Sequence, residues 1–320
     1  MPGLDGARVL VTGATGLIGS VLVRRLLEAG AEVHILLCGQ PEPESALTRS
    51  GLIERITLHA GCLEDAAAVR SGVMTSSPAY VFHLGAQSLV TRARRDPVGT
   101  FEANVGGTWR LLDVCRALDG LRAVVVASSD KAYGRAIQLP YSEAHPIGGV
   151  HEPYEASKAL TDIVARSFAL TYRLPVRVTR CGNVYGPGDW NWSRLIPGTI
   201  RSLLRGERPV IRSDGTPLRD FVHVDDVADA YLRLAVCDVE AGEAFNFSSG
   251  ERLRVLDVVA LIQEALGTRF EPDLRYEATE EIPEQWLDAT KAQTTLGWRA
   301  RRRLRESLPE TLAWYRELVS

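Results

Sequence analysis

No stretch of the 320 residues is apolar for long enough to cross a bilayer, and no basic start with an apolar core opens the chain. Neither a membrane span nor a signal peptide is therefore expected. Cysteine is scarce: Cys38, Cys62, Cys115, Cys181 and Cys237 are odd in number, widely spaced and without a CxxC pair. That excludes a zinc site and a disulfide framework as expectations, no metal is expected elsewhere, and a reducing cytoplasm is the compartment that fits. An excess of charge is missing too. The 37 Lys plus Arg stand against 40 Asp plus Glu, a net charge of -3, so neither a nucleic-acid backbone nor an anionic membrane is an expected partner. The short basic run from Arg299 to Arg305 reads as a solvated face.

What is present is an ordinary globular composition, 45% hydrophobic and 24% charged, with length for one large domain or two smaller ones. Arg8-Val9-Leu10-Val11-Thr12 is a β-branched apolar run, followed by Gly13-Ala14-Thr15-Gly16-Leu17-Ile18-Gly19 and then by apolar residues at helical spacing. Strand, glycine-rich turn and helix together are the context in which backbone amides and a helix N-terminus hold a pyrophosphate. Leu37, Cys38 and Gly39 close the second strand. They supply neither the acid that binds ribose hydroxyls in NAD sites nor the arginine of NADP sites, so NAD is preferred over NADP only by the lack of a base. Further strands are expected at 56–61, 80–87, 123–128 and 176–180, alternating with helices. The fold class is α/β: a doubly wound parallel sheet of Rossmann type with a smaller C-terminal α/β domain. The expected division is 1–180 with a return segment 221–247 for the dinucleotide, and 181–220 with 248–320 for a substrate. Asp225 is the expected cap of a helix over 227–234.

Pro153-Tyr154-Glu155-Ala156-Ser157-Lys158 opens a long amphipathic segment that ends at Leu174-Pro175. Four residues apart on a helix, Tyr154 and Lys158 share a face, which sets an ammonium beside a phenol. Tyrosine titrates near ~10, so a phenol serving as a base near neutrality must shift down by about 3 units, or about 4 kcal/mol. A neighbouring cation supplies part of that. Two solvated neighbours on a helix surface would have the same spacing. Ser129-Asp130-Lys131 falls at the C-terminal lip of the 123–128 strand, where ligands of open parallel sheets sit. A simple turn, with Asp130 bonded to the backbone, would also fit there.

Gly13-x-x-Gly16-x-x-Gly19, Gly85-Ala86, Ser129, Tyr154-x-x-x-Lys158 and Arg180-x-x-Asn183-x-Tyr185-Gly186-Pro187 occur in that order, followed by Arg219-Asp220-Phe221-x-His223-Val224-x-Asp226 and Leu296-Gly297-Trp298. In this the chain resembles, over essentially its whole length, the extended short-chain dehydrogenase/reductases that act on nucleotide sugars. Asp130-Lys131 and the run from Gly188-Asp189-Trp190 to Arg194-Leu195-Ile196-Pro197 resemble the CDP-glucose 4,6-dehydratase type. The resemblance implies a homodimer paired through helices at 104–118 and 154–172. It implies cofactor contacts from Gly13, Thr15, Gly16, Leu17, Ile18, Gly19, Leu84, Gly85, Ala86, Asn104, Tyr154 and Lys158. Leu63 and Cys62, the latter where members usually carry an aspartate, are implied at the adenine.

For the nucleotide-sugar substrate the resemblance implies Gln87, Ser88, Asn183, Arg194, Leu195, Arg212 and Arg219, the arginines facing the diphosphate. It implies a transient oxidation: Tyr154 takes the proton of a hexose C4 hydroxyl oriented by Ser129, and hydride passes to NAD+. Asp130 protonates the departing C6 hydroxyl, and Lys131 handles the C5 proton or stabilises the enolate. A 4-epimerase or decarboxylase of the same family would share Ser129, Tyr154 and Lys158 without needing Asp130-Lys131. A catalytically silent dinucleotide-sensing module would need none of the five.

Overall fold

The computed structural model describes residues 3–135, 138–277 and 282–319. Strands buried on both faces read as continuous apolar runs. Arg8–Thr12 (β1), Glu32–Leu37 (β2), Thr57–Ala60 (β3), Tyr80–His83 (β4), Ala123–Ala127 (β5) and Val176–Cys181 (β6) build the sheet, and a late strand, Ala244–Phe247 (β10), joins its edge. Its order is β10-β6-β5-β4-β1-β2-β3, every pairing parallel. The order reverses between β1 and β4. That reversal opens a crevice outside their C-terminal ends, where such sheets take ligands.

Helices Leu17–Glu28 (α1), Ala46–Arg49 (α2), Ala66–Ser76 (α3), Val90–Arg95 (α4), Pro97–Phe101 (α5), Gly107–Cys115 (α6) and Pro153–Tyr172 (α7) alternate with these strands. A π-helical turn over Glu102–Gly106 leads into α6, so the expected helix at 104–118 begins irregularly. Pro153 stands in the first turn of α7, where its missing N–H costs nothing. The α7 helix then buries Lys158, Ala165 and Ala169 against the sheet.

Beyond β6 come Asn183–Tyr185 (β7), Leu195–Leu204 (α8), Val210–Ile211 (β8), Leu218–His223 (β9), Val224–Val236 (α9) and Ala244–Phe247 (β10). Arg252–Arg254 (β11), Val255–Leu266 (α10), Asp273–Leu274 (β12), Glu284–Gln285 (β13), Thr290–Leu296 (α11) and Leu304–Val319 (α12) follow. β9 is the hub of a second sheet that also holds β7, β11 and β13. Residues 221–223, the start of the expected return segment, lie in the second sheet. The α9 helix is capped by His223, whose Nδ1 accepts from the Asp225 amide, and not by Asp225. The imidazole reaches the free amides because β9 runs straight into the helix.

One apolar core fills the face of the main sheet toward α1 and α9, and another fills the face toward α3, α6 and α7. A third packs α8, α10 and α12 beneath the second sheet. No helix among the described residues is long and apolar enough to cross a membrane.

The cysteine expectation is corrected in one respect. Cys38 and Cys62 form a disulfide, their Cα atoms 4.4 Å apart. Spacing along the chain hides the pair because sheet pairing creates it: β2 and β3 are parallel neighbours with Leu37 opposite Ala60, so the residues just past both strands meet. Cys115, Cys181 and Cys237 are free thiols. Unfolded without reductant the protein should titrate those three thiols, and after reduction all five of the sequence. Closing a loop of this size stabilises by about 3 kcal/mol, so Cys38→Ser should lower the midpoint of oxidised protein in urea and leave reduced protein unchanged.

Candidate active site

The crevice at the strand reversal is a cavity of about 620 Å³ that runs from the glycine-rich turn to the second sheet. Its first wall comes from β1 and α1. Gly13 has φ +71°, and a Cβ there would lie 2.7 Å from the Gly85 amide nitrogen across the reversal. A Cβ at Gly19 would meet the Gly13 carbonyl oxygen at 2.1 Å. Backbone thus packs on backbone. Gly16, the N-cap of α1, brings no side chain to the first amides of the helix, which leaves that end suited to a pyrophosphate. The residues present fit a dinucleotide.

The second wall is the lip of β5. Ser129 caps a 3₁₀ turn over Asp130–Tyr133, its Oγ accepting from the Lys131 amide at 3.2 Å and donating to Asp130 Oδ1 at 2.9 Å. Asp130 is buried, and its Oδ2 has no hydrogen-bond partner. Lys131 Nζ donates to Gln285 Oε1, and Gln285 Nε2 donates to the Asp130 carbonyl at 3.1 Å. Tyr154 and Lys158 enter from the start of α7. Lys158 Nζ donates to the Ala127 carbonyl at 2.9 Å.

The third wall belongs to the segment after β6. Asp189, buried, accepts two hydrogen bonds from Arg194 Nη1 at 3.0 and 3.1 Å, while Arg194 Nη2 donates to Ser88 Oγ at 3.2 Å. Arg219 Nη1 donates to the carbonyls of Leu218 and Pro283. Arg212 and Asn183 complete the cationic and polar end.

The sequence matches the NAD dependent epimerase/dehydratase family over residues 9–247. The chain belongs to that family. It is 32% identical to CDP-glucose 4,6-dehydratase of Salmonella typhimurium, across 98% of this chain and 92% of that one. Among solved structures it is similar to UDP-glucose 4-epimerase of Thermotoga maritima, with TM-score 0.89, 29% identity and coverage of 98% and 99%. It is also similar to dTDP-glucose 4,6-dehydratase of Streptomyces venezuelae, solved with NAD bound, with TM-score 0.86, 31% identity and 97% coverage of both chains.

In this epimerase/dehydratase-family protein the cavity gathers Ser129, Asp130, Lys131, Tyr154 and Lys158 with Gly13, Thr15, Gly16, Leu17, Ile18, Gly19, Leu84 and Ala86. Ser88, Asn183, Arg194, Leu195, Arg212 and Arg219 line its other end. Five expected residues lie outside that lining. Gly85 and Leu63 pack on each other behind it, since a Cβ at Gly85 would meet Leu63 Cδ1 at 2.9 Å. Cys62 is held in the disulfide. Asn104 is buried in the π-helical turn, where its side chain accepts from the Gln87 amide and donates to the Gln87 carbonyl and Ser157 Oγ. That side chain ties the end of β4 to α7. Gln87 turns its own side chain to Leu89 and Thr100. Asp189, which lies in the Gly188-Asp189-Trp190 run but had no role assigned, and Tyr315 are additions to the lining, and Gln285 supports it from behind; residue type and spacing gave no signal for Tyr315 or Gln285. Tyr315 joins Asp189 through a hydrogen bond from its hydroxyl to the Asp189 carbonyl at 2.6 Å.

The electrostatics differ from the expected phenolate. Burial pushes Tyr154 up to about 12, helped by Asp130, while Arg194 rather than Lys158 is the main charge pulling it down. Burial likewise brings Lys158 down to about 8. The ammonium spends itself on the Ala127 carbonyl, so the protein alone holds a neutral phenol. His83 is buried between Thr12 Oγ1 and Thr108 Oγ1 and is driven down to about 3 by burial and by Lys158, which makes it a neutral packing residue.

A lysine with its pKa lowered in the folded state binds its proton more tightly when unfolded, so the contribution of Lys158 to stability should rise between pH 8 and the ordinary lysine value of 10.5. In thermal melts across that window the natural protein should gain stability relative to Lys158→Met, and a constant difference between the two would refute the shift.

Proposed function

We propose that this protein is an NAD-dependent nucleotide-diphosphate-sugar 4,6-dehydratase that converts a hexose to its 4-keto-6-deoxy form. The observation that carries this reading is the pair Asp130-Lys131 in the same cavity as Tyr154, Lys158 and Ser129. NAD, when bound, would accept the hydride from C4 and supply it back to C6 as C5 regains a proton, so that there is no net oxidation. Gly13, Gly16 and the start of α1 hold its diphosphate end.

Tyr154 carries the proton that leaves the hexose C4 hydroxyl, and Ser129 orients that oxygen. A phenol raised to about 12 is a proton holder until further positive charge enters the cavity. The site is therefore arranged to act only when loaded. The resulting 4-ketone acidifies the C5 proton, and water leaves across C5 and C6. Asp130 Oδ2, without a hydrogen-bond partner among the described residues, is the oxygen that would carry the proton given to the departing C6 hydroxyl, and it returns to a carboxylate as water leaves. Lys131 takes the C5 proton or stabilises the enolate. Arg194, Arg212 and Arg219 hold the sugar nucleotide's diphosphate by charge-assisted hydrogen bonds.

The relatives named support both the dehydratase reading and a 4-epimerase as its rival. The free Asp130 oxygen favours the dehydratase, since C4 inversion needs no acid at C6. We further assign residues 1–180 with the return through β10 to the dinucleotide, and the second sheet with its helices to the sugar nucleotide. A homodimer is supported by Leu160, Ile163 and Leu170, apolar residues exposed along α7. The absence of a membrane-spanning helix among the described residues agrees with a cytoplasmic enzyme.

Incubation with CDP-, UDP-, GDP- and dTDP-hexoses should give, with one of them, the alkali chromophore of a 4-ketosugar; an epimer without ketone would exclude dehydration. In Asp130→Asn, oxidation at C4 should persist while elimination slows by roughly a hundredfold or more, so that absorbance of reduced cofactor accumulates at 340 nm. Unchanged product formation would remove Asp130 from the chemistry.

A further inference from the structure

We propose that Gln285 is the positioning residue for Lys131, fixing the amine at the wall of the cavity through a buried carboxamide that grips both members of the Asp130-Lys131 pair. The inference deepens the dehydratase reading and rests on it for its chemical consequence, although the placement of Lys131 is a structural matter. Gln285 is fully buried on β13, and both ends of its carboxamide are used. Oε1 accepts from Lys131 Nζ, and Nε2 donates to the Asp130 carbonyl at 3.1 Å. Turning the carboxamide over would set two donors against one another and two acceptors against one another, so one orientation is locked.

A lysine has four rotatable bonds and loses much freedom when fixed. A rigid acceptor borne on a strand supplies a fixation point for the amine beyond the short turn after β5 that carries Lys131. The strand carries a second tie. β13 pairs with β9 so that Gln285 lies opposite Arg219, and Arg219 donates to the carbonyl of Pro283 just before β13. One short segment, 283–285, therefore sets both a diphosphate-facing arginine and the lysine of the catalytic pair. The placement of the sugar nucleotide and that of Lys131 are held in register by the same backbone.

Two variants separate the outcomes. Gln285→Leu removes both polar contacts; Gln285→Glu keeps an acceptor for Lys131. Competitive acetylation of Lys131, read by mass spectrometry across pH, reports the placement without any substrate. The reactivity of Lys131 should change in Gln285→Leu and stay low in Gln285→Glu. Equal labelling of Lys131 in the natural protein and Gln285→Leu, or equal labelling in the two variants, would overturn the placement. With the hexose that yields ketone, Gln285→Leu should lower kcat by roughly tenfold to a hundredfold with little change in KM, and reduced cofactor should accumulate. An unchanged kcat despite altered labelling would overturn the role in elimination. Should no hexose be oxidised by any form, the dehydratase reading fails, and the labelling still decides the placement.

Discussion

A buried ion pair underlies the arrangement of the site. Arg180 on β6 donates through Nε and Nη2 to both carboxylate oxygens of Asp162 on α7, at 2.8 and 2.9 Å, with both side chains almost wholly out of water. Its third nitrogen, Nη1, donates to the Tyr133 hydroxyl at 2.8 Å, and that hydroxyl donates to Asn246 on β10 at 2.7 Å. Leaving either charge alone in such surroundings is costly, on the order of 3–5 kcal/mol, because the partner would stay buried and unpaired. The network thus locks together the helix that brings Tyr154 and Lys158, the turn that brings Ser129, Asp130 and Lys131, and the strands beneath them. The relative placement of the five groups follows from it.

Around that anchor the site is built by layers of support. Asn104 holds the loop after β4 to α7, Asp189 holds Arg194, and Gln285 holds Lys131. Asp189 and Gln285 each serve a residue that faces the cavity, while Asn104 braces the backbone behind it. Burial does the remaining work by setting the charges. It keeps His83 neutral, lowers Lys158 and raises Tyr154, so the molecule by itself sits far from the ionised phenol that its chemistry requires. Charge brought in from outside must close that gap.

The chain was informative wherever a feature is local. The β1 run with its glycine turn, the Pro153 start of α7 and the Ser129-Asp130-Lys131 lip were all legible, because a strand, a turn and a helix start are each written in a few consecutive residues. Contacts across the sheet were not. Cys38 and Cys62 meet because β2 and β3 are neighbours, and Gln285 reaches Lys131 from 154 positions away. The helix cap at His223 was misplaced by two residues, since Asp225 has the usual capping side chain and His223 only the geometry. The sign of the tyrosine shift escaped for a different reason. A four-residue spacing shows that a lysine is near, but it does not show that a main-chain carbonyl claims the lysine first.

The close approach of Gly13 to Gly85 has a further consequence. At this seam the two halves of the main sheet touch through bare peptide, leaving nothing that natural variation or an engineer could exchange for a larger group without prising the strands apart. Any change in what the protein accepts must be introduced at the rim, among the long side chains between β6 and β9. One half of the crevice is in this sense fixed by its architecture, while the other is free to diverge.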